Sequence, residues 1–102
     1  MDVAVELHLR IEVEADNLAS FHAFLREAIP FYETPGGIEV ALLADSDDPR
    51  RFIERIRYRD EVAYRADQVR VETDSEMKRY LARWRELLAA PPVVEVYRQR
   101  AI

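Results

Sequence analysis

The chain has no cysteine, which removes disulfides, thiolate metal ligands and a cysteine nucleophile, and gives no sign of an oxidising compartment. Its apolar runs are only a few residues long, too short to cross a bilayer. The start, Met1-Asp2-Val3-Ala4-Val5-Glu6, lacks the basic stretch and apolar centre of a secretory signal. A cytoplasmic protein without membrane association is expected. Histidine is scarce, with only His8 and His22 present. Neither helical nor hairpin spacing pairs them, so no metal site is expected. Lysine occurs once against fourteen arginines, and arginine offers carboxylates or phosphates a planar fork that lysine cannot reproduce. The net charge of −5 argues against nucleic acid and anionic membranes as partners. There is no Ser-His-Asp order, no Gly-rich phosphate loop and no pair of carboxylates whose spacing alone suggests acid–base work, and no cofactor is expected.

What is present suits one globular domain over residues 1–102. The 102 residues are 49% hydrophobic and 34% charged, enough for one core and too few for two. From Val3 to Val13 the odd positions are all apolar, while Ala4, Glu6, His8, Arg10 and Glu12 fill the even ones. That is a strand with one apolar face. Asp16 or Asn17 then caps a helix in which Leu18, Phe21, Leu25, Ala28 and Ile29 form one stripe, ended or kinked by Pro30. Thr34-Pro35-Gly36-Gly37 supplies a positive-φ turn. Ile38, Val40 and Leu42 open a second strand, followed by a polar hairpin loop, Asp45 to Pro49.

A third strand, Phe52 to Tyr58, places Phe52, Glu54, Ile56 and Tyr58 on one side and Ile53, Arg55 and Arg57 on the other. Asp60 caps a short helix holding Val62, Ala63, Ala66 and Val69. Asp74-Ser75 begins the best-marked helix, with Met77, Tyr80, Leu81, Trp84, Leu87 and Leu88 in one stripe, and Pro91-Pro92 stops it before a last strand, Val93 to Arg98. The order β, α, β, β, α, α, β is a ferredoxin-like α+β arrangement with one extra helix.

Helices on one face of a four-stranded antiparallel sheet leave the other face for water or for a second sheet. That face carries Glu6, His8, Arg10, Arg55 and Arg57, which read either as a solvated surface or as the polar interior of a dimeric barrel. Burying Ile53 and its apolar neighbours against a copy makes a homodimer the expected state.

Tyr58 ends the third strand, and Asp67 follows Tyr64 by one helical turn, so the three can share a cavity as catalytic and ligand-binding groups. They can equally be core aromatics beside a surface charge. Tyr80 and Trp84 sit in a buried stripe and would serve as pocket walls. His22 sits at the edge of the first helix's stripe and joins them as a ligand-binding candidate.

Between Gly37 and Asp67 stand a Pro-Gly turn before a strand, Asp45-x-x-Asp48-Pro49-x-x-Phe52, and Tyr58 followed by Asp60-Glu61 and a helix. In these features the chain resembles the antibiotic-biosynthesis-monooxygenase-type dimeric α/β barrels. With the first strand and helix, the resemblance covers nearly the whole chain. It implies the fold and a dimer more than a reaction, because these families include cofactor-independent oxygenases of aromatic polyketides, haem-degrading enzymes and isomerases. Where family enzymes carry an acidic residue, a Trp and a His, this chain has Ile56, Tyr58 and Asp67. An ionised Asp is a poor ligand for haem iron, which argues against haem degradation.

Two functions are therefore in view. One is a cofactor-independent, monooxygenase-like or isomerase-like enzyme acting on a small aromatic or carbonyl compound. The other is a non-catalytic dimeric module for small-ligand binding or assembly. RNA binding on the open sheet face is disfavoured, since Arg51 to Tyr58 lacks the Gly-aromatic spacing of base-stacking strands.

Overall fold

The computed structural model describes residues 3–102; Met1 and Asp2, at the start of the stretch read above for a secretory signal, lie outside the described residues. The alternating segment forms β1 (Val5–Glu12), and the first apolar stripe forms α1 (Leu18–Tyr32). Two strands, β2 (Ile38–Ala44) and β3 (Arg51–Tyr58), are followed by α2 (Glu61–Thr73), α3 (Ser75–Leu87) and β4 (Val93–Arg98). The strands make one antiparallel sheet in the order β2-β3-β1-β4, with Val5 opposite Tyr58 and Glu6 opposite Arg57 on the central pair. This is the ferredoxin-like α+β fold.

Local chemistry explains most boundaries and corrects a few. Neither Asp16 nor Asn17 caps α1 with its side chain. A 3-10 turn over Ala15–Asn17 leads into the helix instead, and its hydrogen bonds take the place of a cap. Pro30 does not end α1, which runs on to Tyr32. So near the C-terminus the missing N–H forfeits a single intrahelical bond, and the Thr34 hydroxyl caps the Pro30 carbonyl at 3.0 Å. Gly36 and Gly37 both have positive φ, 81° and 70°. A Cβ on Gly37 would stand 3.1 Å from Cζ of the exposed, movable Arg59 side chain, so it is the positive φ that calls for glycine there.

In α2, Asp60 caps as expected, accepting from the Ala63 N–H at 2.8 Å. The helix is not short, however: at 13 residues it equals α3. Val62 and Val69 do not define its buried side either, being 76% and 59% exposed, whereas Val71 packs against the core and the one fully buried residue is Asp67.

The apolar faces of β1 and β3 pack under the helices in two clusters. One gathers Ile11, Phe21, Phe24, Phe52, Met77 and Trp84; the other gathers Val5, Leu7, Ile38 and Tyr58. No helix among the described residues is long and apolar enough to cross a membrane.

Candidate functional site

A cavity of about 230 Å³ lies where the two clusters meet, taking Tyr32, Met77 and Trp84 from one and Leu7, Ile38 and Tyr58 from the other. Among the described residues only two charged side chains are buried, Glu54 at 3% exposure and Asp67 at 7%, and both line this cavity. A wider hollow of about 340 Å³ beside Arg10 and Asp45 holds neither. Buried charge is costly unless it is paired, so two carboxyl groups in one apolar cavity mark it as the site.

Glu54 stands on the helix face of the central strand β3, between Phe52 and Ile56. Trp84, on α3, donates its indole N–H to Oε1 of Glu54 at 2.6 Å. Burial pushes the Glu54 carboxyl up to about 7, against the opposing pull of the indole donor. A carboxyl that titrates near neutrality can take up or deliver a proton at little driving cost. Tyr32, nearby in the wall, is also pushed up, first by burial and then by the charge of Glu54.

The second carboxyl is held differently. Tyr58 donates its hydroxyl to Oδ2 of Asp67 at 2.5 Å, and Arg70 donates from Nε to Oδ1 at 3.0 Å. Arg70 also donates to the carbonyls of Phe31 and Tyr32 at the end of α1, at 3.3 and 2.7 Å. One guanidinium thus ties the Asp67 carboxylate to two carbonyls at the end of α1, of which that of Phe31 also accepts from the Thr34 N–H at 3.2 Å. Burial, then the hydrogen bond to Asp67, raises the Tyr58 hydroxyl well above its ordinary range. It stays protonated, its hydrogen is committed to Asp67, and only its oxygen lone pairs remain for a ligand.

The other candidates separate. Tyr64 packs edge-on behind Tyr58, with ring centroids 5.4 Å apart, and does not line the cavity. Tyr80 stacks on Phe31 at 4.8 Å, away from the cavity. His22 is exposed on α1, its ring edge-on to Phe21 and Phe52, and is also absent from the walls. On the open sheet face, Arg57 donates to Glu6 at 2.7 Å, His8 lies 3.0 Å from the other Glu6 oxygen, and Arg10 pairs with Glu95 at 2.8 Å. Arg55, opposite His8, has a buried Nε without a partner among the described residues. No group of three His, Cys, Asp or Glu among the described residues is placed to hold a metal.

Sequence reasoning missed Glu54 and Arg70. The signal for Glu54 was available, since a lone acid on an otherwise apolar strand face must be buried. For Arg70 the local signal was its one-turn spacing from Asp67, but its carbonyl partners lie on α1, 38 and 39 positions earlier.

No family model matches the sequence, and no curated protein matches it either. Solved structures do. A conserved protein of Methanosarcina mazei Go1 superposes with a TM-score of 0.80 at 16% identity, covering 96% of this chain and 94% of that one. SnoaB of Streptomyces nogalater, a cofactor-independent oxygenase determined as its N63A mutant, gives 0.77 at 17% identity, covering 97% and 95%. A Nitrosomonas europaea protein assigned to the antibiotic biosynthesis monooxygenases gives 0.76 at 18%, covering 95% and 90%. At such identities the likeness is one of fold, and the chain has the ferredoxin-like α+β fold of the antibiotic-biosynthesis-monooxygenase-like proteins.

Proposed function

We propose that this chain is a cofactor-independent, monooxygenase-like enzyme that uses Glu54 as its acid–base group on a small aromatic or carbonyl compound. The observation that carries this reading is the position of Glu54: the carboxyl shifted toward neutrality stands in the wall of an apolar cavity. An engineered apolar cavity of about 150 Å³ takes up benzene, so about 230 Å³ suits one substituted ring. In the proposed step Glu54 removes a proton from an activated CH₂ group, and the resulting carbanion reduces dioxygen. One oxygen atom stays on that carbon as a carbonyl and the other leaves as water, so the substrate supplies every electron. The oxygen of Tyr58, positioned by Asp67, accepts a hydrogen bond from the substrate. SnoaB, with the same fold, is a cofactor-independent oxygenase, which supports the assignment.

The test is oxygen uptake with small phenols and 1,3-dicarbonyl compounds in metal-free buffer. Glu54→Gln should lower the rate by about 100-fold or more, and Tyr58→Phe or Asp67→Asn should lower it without unfolding the protein. Full activity in Glu54→Gln overturns the proposal. A second reading, a non-catalytic ligand-binding module, is favoured by the commitment of Tyr58, Asp67 and Arg70 to one another. Ligand uptake without turnover would support it.

The homodimer belongs to the same proposal. On the open sheet face Leu43, Val93 and Tyr97 are exposed, Arg55 has an unsatisfied Nε, and Glu39 forms no ion pair among the described residues. A two-fold copy would cover the first three and bring carboxylates to the arginine. Light scattering at micromolar concentration should show a dimer, its interface burying about 1,200 Å² or more. Arg57→Glu, which sets a carboxylate beside Glu6, should weaken it. A monomeric parent protein would refute the pairing, and a dimer indifferent to the reversal would place Arg57 outside the interface.

A further inference from the structure

Of the residues around the cavity, Glu54, Tyr58, Asp67 and Trp84 are buried, whereas Arg85 and Val94 are exposed. The mouth therefore lies between the end of α3 and β4. Leu81 and Arg85 are one helical turn apart on α3 and both line the cavity, so Leu81 lies on the wall and Arg85 at the rim. Among the described residues nine of the fourteen arginines are engaged in ion pairs with carboxylates. Among the described residues Arg85 forms no such pair and no side-chain hydrogen bond, and the side chain of Gln68, on α2 and also in the lining, makes none either. An apolar cavity with acceptors in its depth, Glu54 and the Tyr58 oxygen, thus opens past an uncommitted guanidinium and an uncommitted amide.

From this polarity we infer that the cavity selects a single-ring aromatic carboxylate, bound with its ring and hydroxyl inward and its carboxylate at the mouth on Arg85. The inference rests on the proposed cavity and goes beyond it in naming the class of ligand. A carboxylate fits better than a phosphate. Arg85 lies in the last turn of α3, where the helix presents roughly half a negative charge. One guanidinium outweighs that charge for a monoanion and leaves too little for a dianion. The guanidinium fork also matches a carboxylate with two parallel donors.

The experiment compares 4-hydroxybenzoate with its neutral isostere 4-hydroxybenzamide. Calorimetry on the full chain gives affinities, and the indole N–H resonance of Trp84, the single tryptophan, reports occupancy. The acid should bind about tenfold more tightly or better. Arg85→Gln should abolish that preference and leave the amide's affinity within about twofold, and Arg85→Lys should retain part of the preference because it keeps the charge without the fork. Arg85 is exposed, so these variants should fold. Equal binding of acid and amide to the parent protein, or a preference that survives in Arg85→Gln, overturns the inference while the cavity stands. Binding of neither compound, with an unmoved indole resonance, overturns the cavity reading and this inference together.

Discussion

Replacing Glu54 with Gln is expected to stabilise the protein above pH 7 and to leave its stability nearly unchanged below about pH 4.5. The folded carboxyl titrates at about 7 and the unfolded one near its ordinary 4.5. Its pKa is raised on folding, so the folded state holds the proton more tightly. Below 4.5 both states are protonated and the group is neutral in the balance. As pH rises from 4.5 to 7 the unfolded chain gives up its proton first, and folding loses about 1.4 kcal/mol per pH unit. Above 7 the loss is complete, at about 3 kcal/mol. Gln has no proton to lose, and its carbonyl can still accept from the Trp84 indole. The gap between variant and parent should therefore open across pH 4.5 to 7 and then stay constant, as read by urea denaturation at several pH values. Parallel curves would mean that Glu54 titrates at its ordinary value and would remove the basis for its acid–base role.

A stability penalty of that size at neutral pH needs a reason. A Gln or Leu at position 54 would fill the same place under α3 without it. Strain or charge kept at a cost to stability points to function more directly than a satisfied ion pair does. The surface pairs offer a contrast: Arg98 with Glu61 and Arg83 with Glu27 are exposed, and such pairs contribute little.

Much of the fold was legible because it depends on short-range pattern. The alternation from Val3 to Val13 and the stripe from Met77 to Leu88 each impose one period, and no local signal contradicts them. The α2 helix was harder because its periodicity misleads. Val62 and Val69 point to water, and the residue it buries is an aspartate, tolerated only because Tyr58 and Arg70 satisfy it. The site shows the same division. Tyr58 and Asp67 could be brought together from a strand end and a helical turn. Glu54 could have been flagged by the face it occupies. Its contact with Trp84, 30 positions away, required the packing of α3 over β3. Arg70 required the end of α1 to be in place. Tyr80 shared a stripe with Trp84 in the sequence, yet the two diverge, because α3 packs against α1 on one side and over the cavity on the other.

Arg70→Leu should be the most damaging single change to the site's framework, costing about 3 to 5 kcal/mol. The guanidinium holds Asp67 and the carbonyls of Phe31 and Tyr32, and its ring-face contact with Phe31 at 5.1 Å fixes it in place. Leucine keeps most of the aliphatic volume, so the loss is electrostatic: a buried carboxylate loses its cation, and at the end of α1 the Tyr32 carbonyl loses its donor while that of Phe31 keeps the Thr34 N–H. For a chain of about this length the melting temperature should fall by roughly 15 °C or more. The double variant Arg70→Leu with Asp67→Leu should recover a large part of that loss, because removing both members of a buried pair is far milder than removing one. It should not recover all of it, since the Tyr58 hydroxyl loses its Asp67 acceptor and the Tyr32 carbonyl its Arg70 donor. Thermal melts of the two single variants and the double variant form a complete cycle. Additive losses would show that Arg70 and Asp67 act independently. A coupling of about 2 kcal/mol or more would make the ion pair the fixed anchor from which Tyr58 is aimed into the cavity.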